Sequence, residues 1–202
     1  MIEGDNTNWY YGYIMARFYF IRHGDAYDEN GLQLDDYHLN NHGRVQALQL
    51  AKRLKDNKFD AMYCSRIQRA IDTCEIVNDI HKMNVVYTSS LNEVGGENWP
   101  MPGVQAGVAE LDNYNKAVEK VAKFFNKLIY SHKQKEVIVF THGNWIRTLL
   151  SKILTSGDPN TFFHFVIHNT SLTIIDVDDN TDFESIISVS DAAHTRLYDS
   201  HI

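Results

Sequence analysis

The spacing of hydrophobic positions changes several times along the chain. Phe18-Tyr19-Phe20-Ile21 is an unbroken aromatic and apolar run and predicts a short buried strand. Over 42–57, Val45, Leu48, Leu50, Ala51 and Leu54 recur at helical spacing, and Phe59 to Cys64 predicts a second strand. Residues 66–81 predict an amphipathic helix on Ile67, Ala70, Ile71, Cys74, Ile76, Val77 and Ile80, and Val85 to Tyr87 a short strand. Over 107–132 a single stripe holds Val118, Val121, Ala122, Phe125, Leu128 and Ile129. Glu136 to Phe140 has an apolar strand core, and 144–154 is a further helix. Three more strands are expected at Phe162–Ile167, Leu172–Val177 and Phe183–Val189, with a solvated acidic turn between the last two. Two stretches keep no period: 25–38, and 92–105 with Gly95, Gly96, Pro100, Pro102 and Gly103. Both predict loops.

Strands alternating with helices predict an α/β fold, a three-layer α/β/α sandwich around a mostly parallel sheet with an antiparallel edge. With 202 residues, 44% of them hydrophobic, the chain supports one sizeable core, and 15–202 reads as a single domain. Residues 1–14 read as an extension ahead of the first strand, with Met15 as an alternative start and Trp9, Tyr10, Tyr11 and Tyr13 packing on the domain surface. A net charge of -7 argues against a nucleic-acid partner. No stretch is apolar enough to span a bilayer, and Trp9 to Ile21 is short, carries Arg17 and follows acidic residues, so neither membrane association nor a signal peptide is expected. Cys64 and Cys74 form no CxxC, which argues against a disulfide scaffold or zinc site and for a reducing compartment, the cytoplasm.

In open α/β sheets ligands bind beyond the carboxyl ends of the strands, and polar chemistry clusters there in this sequence. Arg22-His23-Gly24 follows the first strand, Ser65-Arg66 the second, Glu93 the third, and Thr141-His142-Gly143 the strand at Glu136. An imidazole can be a nucleophile, a guanidinium clamps phosphate with two hydrogen bonds, and glycine lets a ligand approach the backbone.

These segments resemble the histidine phosphatase superfamily, the group that includes the cofactor-dependent phosphoglycerate mutases. The matching pieces are Arg22-His23-Gly24; Leu39, Gly43 and Gln46-Ala47; Ser65-Arg66-Ile67-Gln68-Arg69-Ala70 with Thr73; Leu91-Asn92-Glu93; Thr141-His142-Gly143 with Ile146-Arg147; and Asn169 and Ser171. The resemblance runs from about Arg17 to about Thr173 and implies a phosphoglycerate mutase-like fold. It makes His23 the nucleophile that forms a phosphohistidine, and Glu93 the general acid. Arg22, Arg69 and His142 surround the phosphoryl oxygens, and Gly24, Gly143 and Asn144 join them in binding substrate. No metal or other cofactor is needed, because two arginines and two histidines supply the positive charge.

Each role has a plainer rival. Arg66 or Arg69 can be a solvated helix charge, His142 a core histidine, and Glu97 sits four residues beyond Glu93 in the same loop. Arg147 reads as structural or a surface charge, and Asn169 and Ser171 either shape the pocket or cap a strand. Tyr27, Tyr37 and Trp99 either line the pocket or pack on the domain. His38/His42 and His164/His168 have metal-ligand spacing but no completing ligand. The run Asp176-Val177-Asp178-Asp179-Asn180 lacks the glycine and the closing glutamate of a calcium loop.

Within the family both hydrolysis and phosphoryl transfer occur. Asp25-Ala26 after the triplet is similar to bacterial protein-phosphohistidine phosphatases, and only 48 residues separate Glu93 from His142, a short lid. A mutase must exclude water from its phosphoenzyme, so a short lid suits hydrolysis. Asn92 and Asn144 resemble the mutase pattern. The expectation is a phosphatase of phosphomonoesters acting on a phosphorylated small molecule. A phosphoglycerate mutase is the alternative, and a protein-directed phosphohistidine or phosphoserine phosphatase a further one. A homodimer is an open expectation.

Overall fold

The computed structural model describes residues 15–27, 31, 37–95, 99–101 and 107–195. The aromatic cluster at residues 9–13 and Glu97 lie outside them. In chain order the elements are β1 (Met15–Arg22), α1 (Asn41–Leu54), β2 (Ala61–Cys64), α2 (Gln68–His81), β3 (Val85–Tyr87), a 3-10 turn (Ser89–Leu91), α3 (Val108–Ser131), β4 (Glu136–Thr141), α4 (Gly143–Thr155), a short α5 (Pro159–Phe162), β5 (Leu172–Asp178) and β6 (Glu184–Asp191).

The six strands form one sheet in the order β3-β2-β4-β1-β5-β6. β1, β2, β3 and β4 run parallel, while β5 pairs antiparallel with β1 and β6 with β5. The period-two alternation of each strand divides its side chains between two cores. Phe18, Phe20, Val137 and Val139 pack with Val121, Phe125, Trp145 and Leu149 of α3 and α4. Tyr19, Ile21, Ile138 and Phe140 pack with Leu50, Leu54, Ala70 and Val77 of α1 and α2. Both faces of β1 and β4 are therefore dry, which is why these strands read as unbroken apolar runs rather than alternating ones. β1 is further tied to β5 by Arg17, directly opposite Asp176 in register and bonded to both its oxygens at 2.6 and 2.7 Å.

The chain leaves β1 into α1 on one face of the sheet and leaves β4 into α4 on the other. β1 and β4 are neighbours, with Arg22 opposite Thr141. A crevice opens between their carboxyl ends, at the switch point where connections diverge.

Three expectations are corrected. Phe162–Ile167 is not a strand. Asp158 accepts a hydrogen bond from the Asn160 amide (2.9 Å), Pro159 occupies the first helical position, and this cap starts the single turn of α5. Local capping thereby overrides an aromatic, β-branched composition. In α1, Val45 and Leu48 are 51% and 60% exposed, and the buried stripe is Gly43, Gln46, Ala47, Leu50, Ala51 and Leu54. The helix is rotated so that Gly43 and Gln46 meet the turn after β1. The acidic segment is not fully solvated: Asp176, Asp178 and Asp179 are buried, with Asp176 on Arg17 and Asp178 accepting from the amides of Asn180 and Thr181. Among the described residues no helix is long and apolar enough to cross a membrane.

Candidate active site

The turn after β1 is held by hydrogen bonds from every side. The His23 amide donates to Thr141 O (3.1 Å), and the His23 carbonyl accepts from Asn169 Nδ2 (3.0 Å) and the Thr170 amide (3.3 Å). The Gly24 amide donates to Thr73 Oγ1 (3.0 Å), whose hydroxyl donates to Arg69 O (2.7 Å), and the Asp25 amide donates to Gln46 Oε1 (2.9 Å). Gly24 and Gly43 touch backbone to backbone. A Cβ on Gly43 would lie 2.0 Å from Asp25 O, and one on Gly24 2.7 Å from Gly43 O. Neither position admits a side chain without moving the turn or α1.

This scaffold sets the state of the His23 ring, which is buried. Its Nδ1 is 2.7 Å from Gly24 O. A carbonyl only accepts, so Nδ1 carries the hydrogen and Nε2 presents a lone pair. Arg69 Nε donates to that lone pair at 3.1 Å. Burial first, and then coupling to the His142 ring and the charges of Arg22 and Arg69, hold His23 well below the usual histidine range, so it is neutral near pH 7 with a free lone pair on Nε2.

His142, also fully buried, has its ring centre 5.1 Å from that of His23. Its partner is Ser65, with Nε2 to Oγ at 2.8 Å. Asn92 Oδ1 accepts from the Arg66 amide and from the Ser65 hydroxyl, both at 3.0 Å. Ser65 has thus given its only hydrogen to Asn92, so His142 Nε2 must donate to Ser65. His142 Nδ1 is buried and has no partner. Burial, Arg69, Arg22 and Lys120 hold this ring well below the ordinary range as well.

Arg22 donates from Nη1 to Ile167 O (2.5 Å), while its buried Nε has no partner. Its guanidinium lies against Gly143, where a Cβ would stand 3.4 Å from Nε. Glu93 follows the 3-10 turn, and its Oε1 accepts from the Val94 and Trp145 amides, each at 3.1 Å. Trp145 is the third residue of α4, so the carboxylate sits at a helix N-terminus that favours the charged form. Burial outweighs these bonds and the charges of Arg22 and Arg69, and Glu93 is pushed above the usual carboxyl range. A carboxyl that holds its proton longer is a better acid. Beside it is a cavity of about 290 Å³ lined by Val94, Gly95, Trp99, Lys116 and Lys120 among others.

The structure brings Arg22, His23, Gly24, Arg69, Glu93, His142 and Gly143 to one crevice. Asn144 donates from Nδ2 to Val94 O (3.2 Å), joining α4 to the Glu93 loop. Arg66 is exposed, in contrast to buried Arg69. Asn169 reaches the His23 carbonyl, whereas Ser171 bonds Ser190 on β6. Trp99 packs edge-on against Tyr114 and Phe162, and Tyr37 packs against the Ala26–Leu39–Ala47 cluster. His38 bonds Asp72 and His42 approaches Asp25 at 3.4 Å. Two further cations lie beside the crevice. Lys120 is one of many lysines on α3, with nothing local to mark it. Arg147, read from sequence as structural or a surface charge, is half-buried, and Arg22 and Glu93 both act on it electrostatically.

Residues 18–106 and 100–186 match the family model of the histidine phosphatase superfamily, branch 1. The 2,3-bisphosphoglycerate-dependent phosphoglycerate mutase of Thermoplasma acidophilum is 30% identical over 173 residues, covering 78% of this chain and 86% of that protein. An uncharacterized phosphatase of Bacillus subtilis, PhoE, is 27% identical over 157 residues, covering 72% and 80%. Among solved structures, phosphoserine phosphatase from Entamoeba histolytica in complex with 3-phosphoglyceric acid superposes with a TM-score of 0.73 at 21% identity, over 89% of this chain and 98% of that one.

Proposed function

Because the chain belongs to the histidine phosphatase superfamily, we propose that its crevice hydrolyses phosphomonoesters in two displacements. His23 Nε2 attacks phosphorus, the ester P–O bond breaks, and Glu93 gives its proton to the departing oxygen. Glu93, now a carboxylate, takes a proton from water as that water attacks phosphorus. The P–N bond breaks, inorganic phosphate leaves and His23 is restored. Arg22, Arg69 and His142 stabilise the non-bridging oxygens in both steps, and Arg69 exchanges its bond to Nε2 for one to a phosphoryl oxygen.

The observation that carries this reading is the hydrogen bond from His23 Nδ1 to Gly24 O, which leaves the Nε2 lone pair facing the guanidinium of Arg69. Hydrolysis over transfer is supported by the short segment between Glu93 and His142, which among the described residues holds one helix, α3, and strand β4. A phosphorylated small molecule is the substrate we favour. The archaeal relative makes phosphoglycerate mutase the second reading. The buried free thiols of Cys64 and Cys74 fit a reducing compartment such as the cytoplasm.

Two measurements test the mechanism. Enzyme quenched during turnover of a labelled ester is expected to carry an acid-labile, base-stable phosphoryl group that is absent from His23→Ala; equal labelling of both proteins rules out the nucleophile. Glu93→Gln is expected to slow alkyl phosphates by ~10²–10⁴ while affecting p-nitrophenyl phosphate far less, because that leaving group needs little protonation. Equal losses on both substrates remove Glu93 as the acid. Assaying 3-phosphoglycerate with 2,3-bisphosphoglycerate separates the two readings: isomerisation without phosphate release favours the mutase.

A further inference from the structure

The loop between α5 and β5 holds the nucleophile from behind. Its Asn169 side chain and its Thr170 amide both donate to the His23 carbonyl. Thr170 has a φ of 55°, a left-handed conformation that a β-branched residue rarely takes. Such strain persists only where the surroundings fix it. Two side chains from the end of β6 do so. Ser190 Oγ accepts from the His168 amide at 2.8 Å, and His194 Nε2 lies 3.0 Å from Thr170 Oγ1. His194 is itself placed by a turn, in which Asp191 Oδ1 accepts from the Ala193 amide (3.0 Å) and the Thr195 amide donates to Ala192 O (2.9 Å).

Two independent constraints set the His194 ring. Arg53 of α1 donates from Nη1 to Nδ1 at 3.2 Å; a guanidinium never accepts, so Nδ1 keeps a lone pair and Nε2 carries the hydrogen. At the other end the Thr170 hydroxyl donates to Asn169 O (2.8 Å), so its oxygen accepts from Nε2. The chain of donors therefore runs in one direction, from the Arg53–Asp191 ion pair through His194 and Thr170 to Asn169 on the His23 carbonyl. We propose that His194 is a positioning residue for the nucleophile, a latch that holds the strained Thr170 loop, and through it the His23 turn, while its ring is neutral. A proton on Nδ1 would set a donor against the Arg53 donor and a cation beside a cation. From α1 and β6 the charged groups that act on the ring are Arg53 and Asp191, and the loop side offers the neutral Thr170. Burial and then Arg53 hold the ring down to about 4, against the pull of Asp191. In an opened latch the ring returns to roughly 6.5 and binds more protons between the two values. Falling pH over that window therefore favours opening, and the neutral range secures the latch. A role in catalysis rests on the reading of His23 as the phosphoryl acceptor.

The test pairs amide hydrogen exchange with kinetics in wild type, His194→Gln and His194→Leu. A glutamine amide donates to Thr170 and accepts from Arg53 but gains no proton in this pH range, and leucine makes neither bond. At neutral pH His194→Leu is expected to lower the protection of the Thr170 amide roughly tenfold, the scale of one hydrogen bond, and kcat on p-nitrophenyl phosphate by a similar factor with KM unchanged. Protection in β2 stays as it is, and His194→Gln restores most of both losses. On acidification from roughly 6.5 to about 4, Thr170 protection, corrected for the intrinsic rate, falls in wild type and holds in His194→Gln. Equal Thr170 protection in all three proteins, or an equal fall with pH in wild type and His194→Gln, overturns the latch. So does a loss in His194→Leu that spreads across the sheet and that glutamine does not rescue. Should His194→Leu not fold, the comparison of wild type with His194→Gln decides alone. Exchange needs no turnover, so it judges the latch separately from hydrolysis that persists in His23→Ala, which defeats the phosphatase reading instead.

Discussion

The turn after β1 and the turn after β4 each carry a histidine followed by glycine, and each buries its histidine almost completely. They nevertheless present opposite nitrogens. His23 is fixed locally, by the carbonyl of the next residue, which leaves Nε2 as a lone pair. His142 is fixed from a distance, through Ser65 on the turn after β2 and Asn92 beyond the 3-10 turn, which leaves Nδ1 without a partner. Burial lowers both rings alike, so it does not assign their roles. The hydrogen-bond partner distinguishes them: His23 keeps its lone pair on Nε2, and His142 keeps its own on Nδ1.

Substitutions at the two turns separate these roles. His23→Ala is expected to cost on the order of 10⁴-fold or more in kcat and to abolish the phosphoenzyme. His142→Ala is expected to cost ~10²–10³-fold, comparable to losing one preorganised donor, while the phosphoenzyme still forms on His23. If rapid-quench labelling finds the phosphoryl group in His23→Ala and not in His142→Ala, the assignment is reversed.

A smaller effect tests the distant anchor. Ser65→Ala removes the acceptor for His142 Nε2 and is expected to lower kcat/KM roughly tenfold, about the value of one hydrogen bond to a polarised group. An effect through the tautomer alters the pH profile of anion binding, whereas a merely structural effect shifts Tm and leaves that profile in place.

The smallest signal is a proton. Neutral His142 has its hydrogen on Nε2, so its Nδ1 bonds an anion oxygen only after protonation. The pKa is low in the free protein and rises in the complex, so binding takes up a proton between the two values and tightens as pH falls. Sulfate, which stays a dianion over this range, is expected to bind with net proton uptake when measured by calorimetry in buffers of different ionisation enthalpy. His142→Ala is expected to reduce the uptake, leaving what His23 contributes; uptake of the same size in that variant would refute the linkage.

Much of this crevice was legible along the chain because parallel strands put their reactive residues just past their carboxyl ends. Apolar runs such as Phe18–Ile21 and Val137–Phe140 mark those ends. The misreadings have physical causes. Val45 and Leu48 have helical period but face water, since the contact of Gly43 with Asp25 rotates α1. The run at Phe162 reads as a strand until the Asp158-Pro159 cap is recognised. Arg147 reads as structural or as a surface charge, and only the packing of α4 shows that it is half-buried.

Local pattern thus determined by itself the alternation of strands and helices, the two-faced burial of the central strands and the residue types at their ends. These follow from periodicity and steric preference, which act over a few residues. Tertiary structure alone decided which nitrogen of each histidine carries its hydrogen and that burial prevails over a helix N-terminus at Glu93. Each depends on groups such as Ser65 and His142, 77 residues apart in sequence, reaching hydrogen-bond distance. Desolvation acts on a site only after distant elements have closed around it.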